Sequence, residues 1–423
     1  MADQLSTVDT GIHGASNHEP TLLPMSPEFL ADPHGVYTQL RPADLVRDPI
    51  GWSAISYAAC DAAFKDTAMS PGIDPLLEQL GIGGLWGEPG RTLTDSEGAD
   101  HQRLRRVVSP WFTARRIEAL RQRTADLVDS ALDAAGSSGD PDQIDVMADL
   151  VDVVPALLFC WMIGAPEDDS PILARWSKAL LSVFTARPEM VEPVRTAKAE
   201  LAEYTRTLLA QKRADPGDDL ATMLAQGAAA GAIDEVDAFH LLEELLSASV
   251  DNTANTAGLA AYTLANRPEQ WSAVHERPSL VAGAVEECGR FEPAIRHTIK
   301  YAWSDTELLG TPIPAGSFVT LRIAAAHRDP VVYAEPDVVD VRREQPASLL
   351  SFGAGRHYCL GAALGRMELQ EMLGGLVRRW PGARVGEGVE MHIVASGHVV
   401  TLPLHRTGAV LPEASAQRSG ATS

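Results

Sequence analysis

The chain has 423 residues, with 35 lysines and arginines against 57 aspartates and glutamates, which gives a formal net charge of −22. A balance this acidic argues against binding to nucleic acid and against docking on anionic lipid. Apolar residues make up 45% of the sequence and charged residues 22%, which is typical of a globular protein that buries a sizeable core.

The N-terminal residues 1–20 contain neither a basic start nor an apolar run, so we expect no secretory signal there and predict a disordered tail. No uninterrupted apolar stretch of roughly eighteen residues occurs, so we expect no membrane anchor. The four cysteines, Cys60, Cys160, Cys288 and Cys359, form no CxxC pair. The simplest expectation is therefore a reduced, cytoplasmic setting without a disulfide framework.

Helical spacing of apolar residues dominates the chain between its ends. The three longest segments with this spacing are residues 113–135, 193–215 and 234–267. The third is apolar over much of its centre and is expected to cross the core. Short β-rich runs with proline and glycine turns occupy residues 51–57, 297–323 and 390–406. We predict a mainly α protein with small β-sheets, one large domain over residues 21–407 and a flexible tail over residues 408–423.

The stretch SFGAGRHYCLG, from Ser351 to Gly361, places three glycines around His357 and Cys359. A strongly helical segment follows at once, so Cys359 is expected at the start of a helix, where free N–H groups favour a thiolate. A thiolate in a glycine-rich loop suits an axial metal ligand. An inert buried thiol is the alternative for a lone cysteine, but it leaves the glycine spacing unexplained.

This stretch resembles the haem-binding loop of the cytochrome P450 family at every fixed position of that motif. The matching residues are Phe352, Gly353, Gly355, His357, Cys359 and Gly361. The resemblance covers about residues 30 to 405 and implies the cytochrome P450 fold. It also implies haem b (heme b, iron protoporphyrin IX) with an axial thiolate from Cys359.

The resemblance extends to residues that bind the haem propionates in the family. In HQRLRRVVSPWF, His101 and Arg105 lie four residues apart and so share one helix face. Arg296 in FEPAIRHT and His357 match two further propionate ligands. Each alone could be a solvated basic residue, and only their joint spacing supports the assignment.

A structural clamp is also implied by the resemblance. Glu287 and Arg290 in EECGR are spaced to meet on one turn of a helix, and alone they could be a surface ion pair. In the family such a pair is buried and joined by a second arginine, for which Arg343 is the match. His327 in AAAHRDP stands where the family usually has asparagine.

The central helix departs from the family pattern at two positions, the first of which is Ser249 in place of the usual small glycine. Asp251 keeps the usual acid, but Asn252 replaces the threonine that helps to deliver protons for oxygen activation. An asparagine can hold a water but cannot relay a proton through a hydroxyl. Asn252 could organise a water, the substrate could supply the hydroxyl, or the enzyme could perform radical coupling. Asn252 could also be a tolerated polar substitution.

The substrate pocket is assigned from the resemblance. Residues 70–94, which include Trp86, are expected to roof it, although they could equally form an ordinary surface loop. Its distal side is expected to be lined by Ala248, Asn252, Ala294 and Ile295. A medium-sized, largely apolar or aromatic molecule would suit such a pocket.

The predicted activity is that of an O2-activating monooxygenase that hydroxylates a small, largely apolar or aromatic metabolite, in secondary metabolism. Electrons are expected from a separate ferredoxin and ferredoxin reductase, docked on a basic patch. The arginines of this patch are Arg103, Arg106, Arg115 and Arg116, although a solvated helix face would look the same. The alternatives are an oxidative coupling or ring-closing enzyme, and a non-catalytic haem sensor.

Overall fold

The computed structural model of the protein describes residues 20–79, 81, 92–138, 142–182, 188–393 and 397–406. Most of these residues are helical. In chain order the α-helices are α1 (Pro27–Ala31), α2 (Pro33–Leu40), α3 (Tyr57–Lys65), α4 (Ile73–Gln79), α5 (Gly98–Val108), α6 (Ala114–Ser138), α7 (Val154–Ile163), α8 (Ser170–Leu181), α9 (Val191–Ala214), α10 (Leu220–Ala229), α11 (Glu235–Ala265), α12 (Pro268–Glu276), α13 (Val281–Phe291), α14 (Ile323–Ala326) and α15 (Ala362–Arg379).

The strands are short and form small sheets. They are β1 (Leu45–Asp48), β2 (Gly51–Ala54), β3 (Met69–Pro71), β4 (Gln143–Asp145), β5 (Thr298–Ala302), β6 (Thr306–Leu308), β7 (Thr311–Ile313), β8 (Phe318–Leu321), β9 (Arg384–Val385), β10 (Glu390–Ile393), β11 (Gly397–Thr401) and β12 (Pro403–His405). The largest sheet has the order β1-β2-β8-β5-β3, in which only β2 and β8 pair in parallel. Strand β5 is therefore bonded on both sides, and its Lys300 lies between Val319 and Pro71.

Helix α11 organises the core. It begins with a capping box, in which the side chains of Asp234 and Asp237 each accept the other's backbone N–H. It stops short of Pro268, which opens α12. Its apolar residues join one buried cluster with α6, α13 and α15, and a second with α7, α8, α9 and α10. The prediction that this segment crosses the core is confirmed.

The predicted fold class, mainly α with small sheets, is confirmed. No helix in the described ranges combines the length and the apolar character that a membrane span needs. The predicted tails, residues 1–20 and 408–423, lie outside the described residues except for Pro20, so they stay predictions.

Candidate functional site

The loop before α15 is closed by its own backbone. Short 3-10 turns at Leu350–Phe352 and Gly355–His357 fold it back, and the Cys359 N–H donates to the Phe352 carbonyl at 2.8 Å. Gly353 and Gly355 both have φ of +68°, which L side chains rarely adopt. A Cβ at Gly355 would also lie 3.0 Å from the carbonyl oxygen of Phe64 on α3. The two glycines thus let the loop turn tightly against α3.

Cys359 lies at the tip of this loop, three residues before α15 begins, and its side chain is exposed. Protein crowds its other sides, and this burial raises the pKa of the thiol. The N–H of Gly361 and the charges of Arg105 and Arg366 oppose that shift without overcoming it. Burial thus outweighs these groups in the free thiol, whereas binding a metal ion deprotonates such a ligand, and the thiolate at Cys359 stays a prediction.

Two histidines meet beside the loop. The rings of His101, on α5, and His357 lie 4.4 Å apart between centroids. His357 Nε2 is 3.1 Å from an oxygen of Glu97, whose carboxylate also binds the Arg356 guanidinium at 2.6 Å. Nε2 of His101 is buried and has no hydrogen-bond partner among the described residues. Burial lowers the pKa of both rings, that of His357 to about 3, so both are neutral at pH 7.

Of the two arginines assigned to the propionates, Arg105 contacts the cysteine loop. Arg105 donates to the carbonyl oxygens of Tyr358 at 2.8 Å and Arg356 at 3.4 Å, which ties α5 to the loop. Arg296 instead pairs with Glu292 at 2.7 Å, and Arg328 binds the same carboxylate at 3.2 Å.

Lys300 was not singled out from the sequence, yet it is only 4% exposed and interacts electrostatically with Glu97 and Arg356. The signal was present in the sequence, since Lys300 is the lone charged residue of an otherwise uncharged strand.

These residues fit an iron porphyrin that carries two carboxylates. The loop offers an accessible sulfur, and beside it stand an unpartnered buried imidazole nitrogen and several cationic groups around one carboxylate. Thiolate sulfur is an established axial ligand of haem iron, and cationic or N–H donors suit propionates.

Residues 248, 252 and 256 follow one face of the central helix, α11, which we call its open face. Ala248 is exposed and Asn252 is half-buried one turn later. Asn252 Nδ2 donates to the Ala248 carbonyl at 3.3 Å, and Thr256 Oγ1 donates to the Asn252 carbonyl at 2.7 Å. Thr256 was not singled out from the sequence, although its i+4 spacing from Asn252 places it on the same face.

Asp251 is buried, unlike its neighbour Asn252. It accepts from Asn255 Nδ2 at 2.9 Å and lies 4.0 Å from Nδ1 of His398. Burial raises its pKa to about 6, against the charge of Lys178 and the Asn255 hydrogen bond, which lower it. Asn255 Oδ1 in turn accepts from the Val399 N–H at 3.1 Å, which fixes the amide toward Asp251.

The remaining pocket residues are placed differently from one another. Ala294 is buried, and its carbonyl accepts from the Gly397 N–H at 2.8 Å. Ile295 is half-buried against the cluster of the largest sheet. Trp86 lies outside the described residues, so its assignment stays a prediction.

The end of the predicted roof segment is fastened to α11. Glu244, one turn before Ala248, accepts from the N–H groups of Leu93 at 2.6 Å and Thr94 at 2.8 Å, and also from the Thr94 hydroxyl. Burial raises the pKa of Glu244 to about 7, although these hydrogen bonds oppose the shift. The contact spans about 150 positions, so spacing along the chain could not reveal it.

The expected clamp residues lie together, and two of them, Glu287 and Arg290, are buried. Arg290 donates from Nε and Nη2 to the two oxygens of Glu287, each at 2.8 Å, and both side chains are fully buried. Arg343 reaches the same carboxylate at 3.1 Å. Arg290 also donates to the carbonyl of His327, whose Nε2 accepts from the Leu350 N–H at the start of the cysteine loop. The clamp is thereby joined to the loop.

The four arginines of the basic patch divide into two kinds. Arg103 pairs with Asp237 and Asp100, and Arg116 pairs with Asp218 at 2.9 Å. Arg106 and Arg115 are exposed on α5 and α6, and neither has an ion pair among the described residues.

Comparison with known proteins gives consistent matches over this architecture. The family model described as Cytochrome P450 matches residues 84–382. Nocardicin C N-oxygenase of Nocardia uniformis subsp. tsuyamanensis is 31% identical over 390 residues, 90% of this chain and 96% of that protein. Cytochrome P450 monooxygenase PikC of Streptomyces venezuelae is 32% identical over 372 residues, 84% of this chain and 85% of that protein.

A solved structure of CxnD, described as a cytochrome P450 enzyme for C-S bond formation in chuangxinmycin biosynthesis, has the same fold. It superposes with a TM-score of 0.81 at 26% identity, and the match covers 93% of this chain and 99% of that one. The prediction of a single large domain with this fold is confirmed by such coverage.

Proposed function

Because the chain belongs to the cytochrome P450 family and is an oxidoreductase of the monooxygenase type, we propose that it hydroxylates a small, largely apolar or aromatic metabolite. The observation that carries this proposal is the loop around Cys359, which two left-handed glycines and the Cys359 N–H bond hold beside an unpartnered imidazole nitrogen. Haem bound through Cys359 would supply the activation of O2.

The protein's own residues would position that haem. Cys359 would hold the metal from the loop, and Arg105 holds α5 against the same loop through the carbonyls of Arg356 and Tyr358. His101 and His357, both neutral, can donate N–H hydrogen bonds toward carboxylates. The clamp of Glu287, Arg290 and Arg343 supports the loop through His327, which binds both Arg290 and the Leu350 N–H.

Asp251 would hold and exchange the proton that the reaction consumes. A carboxyl group with a pKa of about 6 is neither fully protonated nor fully ionised near neutral pH, which suits proton transfer. Asn255 fixes one of its oxygens by a hydrogen bond of 2.9 Å. Asn252, on the open face, can position a water with its amide, but it has no hydroxyl through which a proton could pass.

A second candidate reaction rests on Asn252. Asparagine has no hydroxyl, so the open face lacks one at this turn of the helix. The Asn252 amide there donates to the Ala248 carbonyl instead. Oxidative coupling or ring closure of the substrate would consume the same two protons per O2 as hydroxylation but would insert no oxygen, because both oxygen atoms would leave as water. The similarity to CxnD, described as forming a C–S bond, supports keeping this candidate.

Electrons would come from a separate protein, since monooxygenases of this family use a redox partner. We assign this role to a ferredoxin that docks on the surface of α5 and α6. Arg106 and Arg115 are exposed there in an otherwise acidic chain, and such a patch would steer an acidic donor.

Incubation with isotopically labelled O2 tests the reaction. The purified protein is first screened with candidate metabolites for spectral shifts at the haem. The mass of the product formed from a compound that binds is then measured by mass spectrometry. Hydroxylation adds one labelled oxygen atom to the product. Loss of two hydrogens, or a product that sums two units without the label, would establish coupling instead.

A further inference from the structure

We propose that Lys300, on β5, binds a haem propionate in this protein, the role that sequence resemblance assigns to Arg296. The inference rests on the proposed function, because it requires haem in the site. In the segment after α13, the positive charge that faces the propionate would then belong to Lys300 and not to Arg296.

Lys300 is a buried cation. It occupies the middle of β5, between β3 and β8, and is only 4% exposed. Its ammonium group lies 5.8 Å from the centre of the Phe64 ring, and it forms no ion pair with a carboxylate of the described residues. Burial lowers its pKa to about 8, against the opposing charge of Glu97. A buried cation without a close anion is unfavourable, so a further anion bound beside Lys300 would stabilise it.

The surroundings of Lys300 carry more positive than negative charge. Lys300, Arg105 and Arg356 all act on the His357 ring, whereas the only carboxylate found among the described members of this cluster is Glu97. Glu97 is already bound by Arg356 and His357. His101 adds a buried Nε2 that lacks a partner among the described residues. A carboxylate placed here would compensate the excess charge and satisfy the imidazole.

The same cluster adjoins the cysteine loop. The ring of Phe64 lies 3.6 Å from where a Cβ on Gly353 would be, and the Phe64 carbonyl oxygen lies 3.0 Å from that of Gly355. Arg356, inside the loop, donates to the carbonyl of Met69 on β3, the strand paired with β5. Lys300 therefore approaches the side of the loop that carries His357.

Arg296 already has a carboxylate partner. Its guanidinium pairs with Glu292 at 2.7 Å, and Arg328 shares that carboxylate. Its charge acts on Tyr37 and His297 together with that of Arg322. An arginine whose charge is already compensated gains little from a second carboxylate, whereas Lys300 has no such partner.

The test measures how fast haem leaves the loaded protein for an excess of apomyoglobin, which reports haem binding independently of activity. Lys300→Met is expected to raise this rate at least tenfold, and Lys300→Arg to keep it within about threefold of wild type. Arg296→Met is the matched variant. An unchanged rate in Lys300→Met, or a larger increase in Arg296→Met, would overturn the assignment.

Haem dimethyl ester, in which both propionates are esterified, separates this role from general destabilisation. The wild-type protein is expected to lose the ester at least tenfold faster than haem, and Lys300→Met to shrink that ratio, while Arg296→Met preserves it. An equal ratio in all three proteins contradicts the inference even if a variant folds poorly. A chain that binds no haem at all would refute the proposed function instead.

Discussion

Asn252 replaces a threonine that is usual in the central helix of the family, and the structure gives it two contacts along a single face. It donates to Ala248 and accepts, through its backbone carbonyl, from the Thr256 hydroxyl. The hydroxyl missing at residue 252 is therefore present one turn later, at Thr256. A water between the Asn252 amide and Thr256 would restore a polar path on that face.

Asn252→Thr tests whether residue 252 takes part in proton delivery. The new hydroxyl is expected to raise the ratio of product formed to reductant consumed, and Asn252→Ala to lower it several-fold, since an alanine can neither hold a water nor relay a proton. The measurement is oxidation of the nicotinamide cofactor against product by mass spectrometry. Equal ratios in all three proteins would exclude Asn252 from the path.

Ionisation of Glu368, on α15, opposes folding. Glu368 is buried, one oxygen lacks a partner among the described residues, and burial raises its pKa to about 8. The folded state thus keeps a proton that the unfolded state loses from about pH 4.5 upward. By linkage, this group leaves stability highest below that pH and lowers it progressively as pH rises to about 8.

Glu368→Gln is therefore expected to flatten the decline of stability between pH 5 and pH 8. The difference from wild type at pH 8 should be on the order of a few kcal/mol in the free energy of unfolding. Urea denaturation at the two pH values measures it, with the exposed Glu276→Gln as control. A decline as steep as that of wild type would show that Glu368 ionises without cost.

At the scale of elements, α11 joins the core to the roof of the pocket. Glu244 accepts hydrogen bonds from Leu93 and Thr94 while the same helix presents Ala248 one turn later. Movement of Leu93 and Thr94 would therefore be transmitted through Glu244 to the part of α11 that presents Ala248. The carboxylate form is the better acceptor, so protonation of Glu244 below about pH 7 should weaken this contact.

Glu244→Gln is expected to loosen the roof end, because an amide offers one acceptor oxygen where the carboxylate offers two. Hydrogen bonds to charged groups contribute about 1.5 to 3 kcal/mol, so amide exchange at residues 92–95 should accelerate at least tenfold. Hydrogen–deuterium exchange with mass spectrometry measures this. Glu235→Gln, in the first turn of α11, serves as control, and unchanged exchange at 92–95 would contradict the role of Glu244.

Local patterns predicted the elements well and the contacts between them poorly. Apolar spacing and the proline after it indicated α11, and the i, i+3 spacing indicated the Glu287–Arg290 pair, because both depend on one helix. The partner of Arg296 depends on how the chain turns between α13 and β5, which spacing does not encode. Lys300 and Glu244 were overlooked because the residues around them come from distant segments that the sheet and the core bring together.

For the molecule as a whole, charge is distributed unevenly. The chain carries a net charge of −22, yet Arg106 is exposed on α5, the helix that Arg105 ties to the cysteine loop, and Arg115 is exposed in the first turn of α6. An acidic donor would be repelled by most of the surface and attracted here, which favours docking on the side of the loop.

Charge reversal of both arginines, Arg106→Glu with Arg115→Glu, is expected to slow electron transfer from a ferredoxin at least tenfold at low salt. It should also weaken the salt dependence of the rate, because fewer charges steer the encounter. Stopped-flow reduction of the haem measures both. Arg195→Glu with Arg206→Glu, which reverses the same number of charges at exposed positions of α9, is the control, and an equal effect from that variant would mean that net charge alone matters.

The ligation by Cys359 is the claim on which the others depend, and one spectrum tests it. The reduced protein under carbon monoxide is expected to show the strongly red-shifted Soret band that thiolate ligation gives, and Cys359→Ser to lose it. A wild-type band without that shift, or a shift that survives in Cys359→Ser, would contradict the account.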